Sequence, residues 1–358
     1  YLGLNLILLF VWPIGSNDIF SYIYQGRIFS IFHANPYLAS YSQFSSDEFF
    51  RLIANRWIFK PAPYGPVFIF LSAFLAWLGK ASLYFSLFLF KALFVAANLL
   101  SAYLLYKLGS LKTFYLYAFN PLVIFEFVIN GHNDVLLVLA CLLCLLLLTK
   151  NSGLKNYLLS FLFLLLSGLI KLTTIIFWPV WLLLALKKIG NKRRPLLAAL
   201  AALISALALS MAFYAPGRQA LIDFYSALAK QNSLSYFYSL TIFIFNKFFI
   251  FFNAVKGLKI SLVLSRLIFS LVYVYLLLRI IFLKSNNLKG GLKDNLIKYQ
   301  TWILLFFFLT FFTWIMPWYF TLLIALSALA YNLKKEKFYL NILYFFSLYG
   351  IIYYVFLR

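Results

Sequence analysis

Three carboxylates stand where an apolar chain rarely holds them. Of eight Asp and Glu residues in 358, Glu126 and Asp134 lie inside or at the edge of long apolar runs, and Asp18 follows almost directly on the first run. A carboxylate at the centre of a membrane helix costs about 2.5 to 3.5 kcal/mol on insertion scales, so such groups usually face a polar cavity and act there. A cation, Lys171, sits in the middle of another apolar run. Carboxylate and ammonium together suit a transfer reaction: the carboxylate deprotonates an alcohol, and the ammonium receives the charge that develops on a departing phosphate.

Each of these residues also has a plain structural reading. Asp18 in Ser16-Asn17-Asp18 could cap the helix that follows, and Asp134 in Gly131-His132-Asn133-Asp134 could cap the helix beginning at Val135. Glu126 could pair with Lys91, itself within an apolar run, or orient a substrate. With two histidines in the chain a histidine-based metal site has little support, but His132 and an Asp could still hold a divalent cation, and no other cofactor is indicated. Trp318 and Tyr319 follow Pro317, which breaks an apolar run, so their faces could serve as platforms for sugar rings or acceptor chains. Cys141 and Cys144 on one apolar stretch read as buried packing.

The elements that position these groups must be membrane helices. The chain is 65% hydrophobic and 11% charged, with mean hydropathy +0.94, against about 25% charged residues in soluble proteins. Its net charge of +23 does not point to nucleic acid, because the cations fall in short connectors between apolar runs, as the positive-inside rule requires. The runs cover about 64–79, 83–106, 113–130, 133–149, 157–186, 196–215, 236–252, 258–283, 299–315, 318–333 and 338–357. They do not alternate with period two, which excludes a barrel. The expected fold is all-α: a polytopic membrane protein with 10–12 transmembrane or re-entrant helices forming one membrane-embedded domain over 1–358. The first run reaches only Trp12 from Tyr1, and is expected to be the truncated end of a first membrane helix. Segment 14–63 is expected to be an outer loop with interfacial helices, since it mixes aromatics with Gln25, Arg27 and His33.

Five basic connectors are expected in the cytoplasm: Lys107 with Lys112, Lys150 with Lys155, Lys187 to Arg194, Lys284 to Lys298, and Lys334 to Lys337. The turn at 131–134 and the segment 316–319 then fall on the outer side. Run 157–186 is long enough for about 45 Å of helix. Two short helices meeting near Lys171 would bring its ammonium to the same face; a single tilted helix with a snorkelling lysine is the alternative. Crossing parity fails in two regions, so runs such as 64–79 and 236–252 are expected to be re-entrant or interfacial. Asp18, Asp134 and Lys171 therefore converge on one non-cytoplasmic face. Nucleotide sugars are not available there, so the donor would be a lipid phosphate supplied laterally by the membrane.

The ordered motifs carry a family resemblance. Asp18 after the first helix, Asn35-Pro36-Tyr37, Pro63-Tyr64-Gly65-Pro66, Asn120-Pro121-Leu122, Gly131-His132-Asn133-Asp134, Gly168-Leu169-Ile170-Lys171-Leu172 and Pro317-Trp318-Tyr319 stand in the order seen in the GT-C superfamily. The chain resembles its polyprenol-phosphate-mannose-dependent mannosyltransferases, of the alpha-1,6 type, and in layout the first mannosyltransferase of GPI-anchor synthesis. The resemblance implies an inverting hexosyltransferase that moves a hexose, best read as mannose, from a polyprenyl-phosphate sugar to a lipid- or glycan-linked acceptor. It implies Asp18 as the base and Asp134 as the second acidic position, with Lys171 and Arg27 at the donor phosphate. His132, Asn133, Glu126, Tyr64, Trp318 and Tyr319 are the further expected substrate-binding residues. The expected location is the plasma membrane, among membrane lipids, with the site on the non-cytoplasmic face. A transporter or flippase of lipid-linked saccharides is the competing reading, and would spread its charges through the membrane depth. A purely structural subunit would leave Asp18, Asp134 and Lys171 pointing apart.

Overall fold

A computed structural model describes residues 1–148, 153–189, 197, 239–249, 254–283, 291–312 and 315–357. The protein is an all-α polytopic membrane protein, and its regular structure among the described residues is entirely helical. Apolar surroundings leave the backbone no partner but itself, so apolar runs close their hydrogen bonds within helices.

The first half comprises α1 (Leu2–Leu9), α2 (Asp18–Ser30), α3 (Pro66–Gly79), α4 (Leu83–Leu108), α5 (Leu111–Ala118), α6 (Pro121–Ile129), α7 (Asp134–Leu147), α8 (Leu154–Ile170) and α9 (Trp178–Ile189). The second comprises α10 (Leu240–Phe249), α11 (Ala254–Phe282), α12 (Gly291–Phe306), α13 (Phe320–Lys334) and α14 (Lys337–Ile352). Among the described residues three helices are long and apolar enough to cross a membrane: Leu83–Leu108, Gly257–Phe282 and Lys337–Val355. A fourth forms if α5 and α6, bent by 54°, count as one span. That bend falls at Asn120-Pro121, where Pro121 cannot continue the helix and the Asn120 side chain accepts from the amides of Leu122 and Val123. Runs 64–79, 133–149 and 236–252 hold shorter apolar helices, of 14, 14 and 10 residues. Run 196–215 apart from Leu197, and the connectors around Lys150, Arg194 and Lys284, lie outside the described residues.

Run 157–186 takes the two-helix form, and the single tilted helix does not occur. Lys171 has extended backbone (φ −155°, ψ 130°), followed by a 3-10 turn over Leu172–Phe177. Helix α9 then folds back along α8. The Trp178 indole donates to the Leu164 carbonyl at 3.2 Å and the Trp181 indole to Ser160 Oγ at 2.9 Å.

In both regions where crossing parity fails, one run folds as a short helix packed on a neighbouring helix. Helix α3 starts beside Ile170, whose carbonyl accepts from the Gly65 amide at 3.0 Å, and runs alongside α2 in the same direction. Tyr22 meets Phe68 near the helix starts, and Arg27 reaches the Lys80 carbonyl near the ends. With 14 residues α3 is about 20 Å long, short of a hydrocarbon core of about 30 Å, whereas α4 is long and apolar enough to cross one. Helix α10, with 10 residues, likewise packs on the first part of α11, where Thr241 and Ser265 bond at 2.9 Å.

Within segment 14–63, helix α2 is enclosed by protein: Ile19 through Ile28 are all buried, against α3 and α4. Its polar residues are tolerated inside because protein groups pair with them. Gln25 donates to the Tyr41 hydroxyl, and Arg27 forks onto Asp47.

Candidate functional site

The expected residues meet where the chain enters α2, α7 and α13 and leaves α8. Two turns set their placement. In Gly131-His132-Asn133-Asp134, Gly131 has φ +72°, and a Cβ there would lie 2.6 Å from Ile19 Cδ1, so the turn seats directly on α2. In Pro63-Tyr64-Gly65-Pro66, a Cβ on Gly65 would lie 1.9 Å from the Leu169 carbonyl oxygen, so only glycine lets this loop join the end of α8. Tyr37 of Asn35-Pro36-Tyr37 clamps the loop from the other side, donating its hydroxyl to the Tyr64 carbonyl at 2.9 Å.

Asp18 and Asp134 each open a helix without capping it. Asn17 and Asn133 occupy the N-cap positions, and neither makes a side-chain cap. Both carboxylates lie in a first turn, where the helix dipole favours negative charge. Lys171 Nζ donates to both Asp134 carboxylate oxygens at 2.9 Å and lies 4.2 Å from the centre of the Tyr319 ring.

A second chain of polar groups leads inward from Asp18. Its Oδ2 lies 3.8 Å from His132 Nδ1, and His132 Nε2 lies 3.4 Å from Glu126 Oε2. The His132 ring stacks on Trp318 with centroids 3.9 Å apart and planes 15° from parallel. Tyr22 brings its hydroxyl within 3.4 Å of both His132 Nδ1 and Asn133 Oδ1. Glu126 does not pair with Lys91, whose ammonium donates instead to the carbonyls of Leu8 and Val11 at the end of α1. The partner of Glu126 is Asn130, four residues on, at 3.0 Å. Asn130 also accepts from the Gly15 amide at 2.7 Å, and so ties the approach to Asp18 to the Glu126 turn.

Asp18 faces a pocket as well as this chain. The pocket is lined by Asp18, Gln25, Tyr41, Trp57, Lys60 and Tyr64, among others. Asp18 keeps 14% of its side chain exposed, whereas Glu126 is fully enclosed. Burial pushes the Asp18 carboxyl up to about 6; Arg56 and then Lys171 pull it down, and Asp134 pushes it up. Lys60 Nζ lies 4.9 Å from the Trp57 ring centre. Gln25 Oε1 is buried with no partner from the protein, an acceptor available to a hydroxyl in the pocket.

Nine of the ten expected residues therefore gather: Asp18, Tyr64, Glu126, His132, Asn133, Asp134, Lys171, Trp318 and Tyr319. Arg27 does not join them. It forks onto Asp47 at 3.0 and 2.6 Å, stacks 3.9 Å from the Phe49 ring centre and donates to the Lys80 carbonyl, so its guanidinium is held away from Asp18. The expected aromatic platforms are also engaged: His132 covers Trp318 and Lys171 covers Tyr319. The aromatic and cation in the pocket wall, Trp57 and Lys60, were not singled out from the sequence. Their only local signal is a Trp and a Lys three residues apart in the outer segment. Among the described residues no three His, Cys, Asp or Glu side chains converge as a metal site.

Comparison with curated proteins and with solved structures finds no match. A family model does match, over residues 6–187, and that stretch carries Asp18, the pocket wall, the 131–134 turn and Lys171. The chain belongs to the MptA_B family, described as alpha-(1->6)-mannopyranosyltransferase, N-terminal domain.

Proposed function

We propose that this protein is a GT-C-type mannosyltransferase that takes its sugar from a polyprenyl phosphate and passes it, with inversion, to a lipid- or glycan-linked hydroxyl at the non-cytoplasmic face. The observation that carries this reading is the partly exposed Asp18 carboxylate in a pocket that also holds Trp57, Lys60 and Tyr64. Family membership favours transfer over transport.

Asp18 takes the proton of the acceptor hydroxyl as that oxygen attacks the anomeric carbon. The bond from that carbon to the phosphate oxygen breaks, and the polyprenyl phosphate leaves with the electron pair. The negative charge moves from Asp18 to the leaving phosphate, so a cation must stand across the pocket. Lys60 takes that role, with Arg56 close enough to act on Asp18. Lys171 is already neutralised by Asp134, and the pair works as a brace for the rim of the site. His132 and Glu126 orient Asp18 from behind.

The test is transfer in liposomes by the purified protein given polyprenyl-phosphate mannose and candidate acceptors. Asp18→Asn is expected to lower turnover by 10² to 10⁴ while the donor still binds. Full turnover by this variant would assign the base elsewhere.

A further inference from the structure

A second cavity, of about 450 Å³, lies at the other end of α13 from the pocket of Asp18. Helix α13 has 15 residues, so about 20 Å separates its start, beside Trp318 and Tyr319, from Lys334 at its end. Lysines collect at that end: Lys112 donates to Tyr331, and Lys187 donates to the carbonyls of Ile281 and Leu283.

The cavity has two unlike halves. Three cations line it, Arg279 from the last turn of α11, Lys298 from α12 and Lys334 from α13, against one carboxylate, Glu336. Lys298 feels the positive charge of both Arg279 and Lys334, opposed by Glu336. Like charges held together in a partly enclosed space repel, and an anion among them relieves that repulsion. The other half is apolar and continues up α11 through Leu276 and Val272, with Trp302 and Phe306 opposite. Helix α11 presents an apolar surface beyond the cavity. Only 22% of its best spanning window is buried, and Leu271, Val274 and Phe282 are exposed.

We propose that this cavity binds an anionic phospholipid. The headgroup phosphate lies among Arg279, Lys298 and Lys334, and an acyl chain follows Leu276, Val272 and Phe306 along α11. A free inorganic anion would use the cations but has no use for the apolar half. A basic pocket between membrane helices joined to an apolar wall is the arrangement that recognises lipid headgroups. The inference is independent of the reaction at Asp18, because no residue of one cavity lines the other.

Native mass spectrometry of the full chain released from nanodiscs tests it. Nanodiscs holding equal phosphatidylglycerol and phosphatidylcholine should yield protein retaining phosphatidylglycerol. Arg279→Gln and Lys334→Gln, both at exposed positions, should each reduce that retention about fivefold, and Arg279→Lys should keep most of it. Leu276→Ala should weaken lipid retention with the cations intact, and 10 mM inorganic phosphate should not displace the lipid. Equal retention of the two lipids, or retention unchanged in both charge variants, overturns the proposal. Displacement by inorganic phosphate together with an inert Leu276→Ala would identify a free-anion site and overturn it equally.

Discussion

The ammonium of Lys171 and the carboxylate of Asp134, 37 residues apart in the chain, form a two-pronged ion pair with both N–O distances at 2.9 Å. Their side chains are 14% and 7% exposed, so the pair is largely removed from water. Its geometry fixes the end of α8 against the start of α7, and with it the rim of the site.

Breaking that pair from one side leaves an uncompensated charge. Lys171→Met is expected to destabilise the protein by about 3 to 5 kcal/mol, whereas Lys171→Met combined with Asp134→Leu should recover much of the loss. Thermal unfolding in detergent of the two single variants and the double variant measures the coupling. Additive losses would show that the two groups do not depend on each other.

Asp18 links activity to pH. As the base it must be ionised, and with its carboxyl raised to about 6, kcat/KM should fall about tenfold per pH unit below that value. The same shift makes the charged group a cost to the fold. That cost is absent below the ordinary carboxylate value of 3.8 and complete above about 6. Asp18→Asn should therefore stabilise the protein above pH 7 by on the order of 3 kcal/mol, and should have little effect on stability below pH about 4. A variant that is inactive yet more stable separates loss of the base from misfolding.

Lys60 and Arg27 should differ in kind. Lys60→Gln is expected to raise KM for the polyprenyl-phosphate donor about tenfold and to steepen its dependence on salt, with unfolding unchanged, since the side chain is partly exposed. Arg27→Gln should lower stability by about 3 to 5 kcal/mol, because Asp47, 3% exposed, loses its partner. Donor titrations and melting curves on the two variants check the contrast. A donor-specific defect in Arg27→Gln with normal stability would return Arg27 to the phosphate.

Gly65→Ala tests how the outer loop is held. Its Cβ would stand 1.9 Å from the Leu169 carbonyl oxygen, and backbone on both sides leaves little room for adjustment. The expected cost is about 1 to 3 kcal/mol, with loss of activity at temperatures where the fold is intact, because Tyr64 and the end of α8 are forced apart. Measuring transfer and unfolding on the same preparation distinguishes this from simple destabilisation.

Much of the site was legible because its residues are costly where they stand. Asp18, Glu126, Asp134 and Lys171 announce themselves against an apolar background, and the structure brings all four to one end of the bundle. The break at Lys171 was open between two readings, since a 30-residue apolar run permits either a tilted helix or a hairpin. The indole bonds from Trp178 and Trp181 back to α8 accompany the hairpin, and they depend on contacts 14 and 21 residues apart. Arg27 entered through the family resemblance, and nothing in the sequence near it announces Asp47, 20 residues on, as the partner that packing brings to it. The spacing of Trp57 and Lys60 was too weak a signal to single them out, as an aromatic and a cation in a polar loop are common.

By itself the sequence determined that the chain is helical, that it belongs to a membrane, and which polar groups are too costly to be idle. These follow from local hydropathy and from the backbone's need to satisfy its own hydrogen bonds without water. Only the tertiary structure decided who pairs with whom: Lys171 with Asp134, Arg27 with Asp47, Glu126 with Asn130 and His132, and Lys91 with the carbonyls of α1. Glu126 finds its partners within its own turn, but Lys171, Arg27 and Lys91 take whichever partner the packing of distant segments brings to them, and short-range sequence carries no record of that choice.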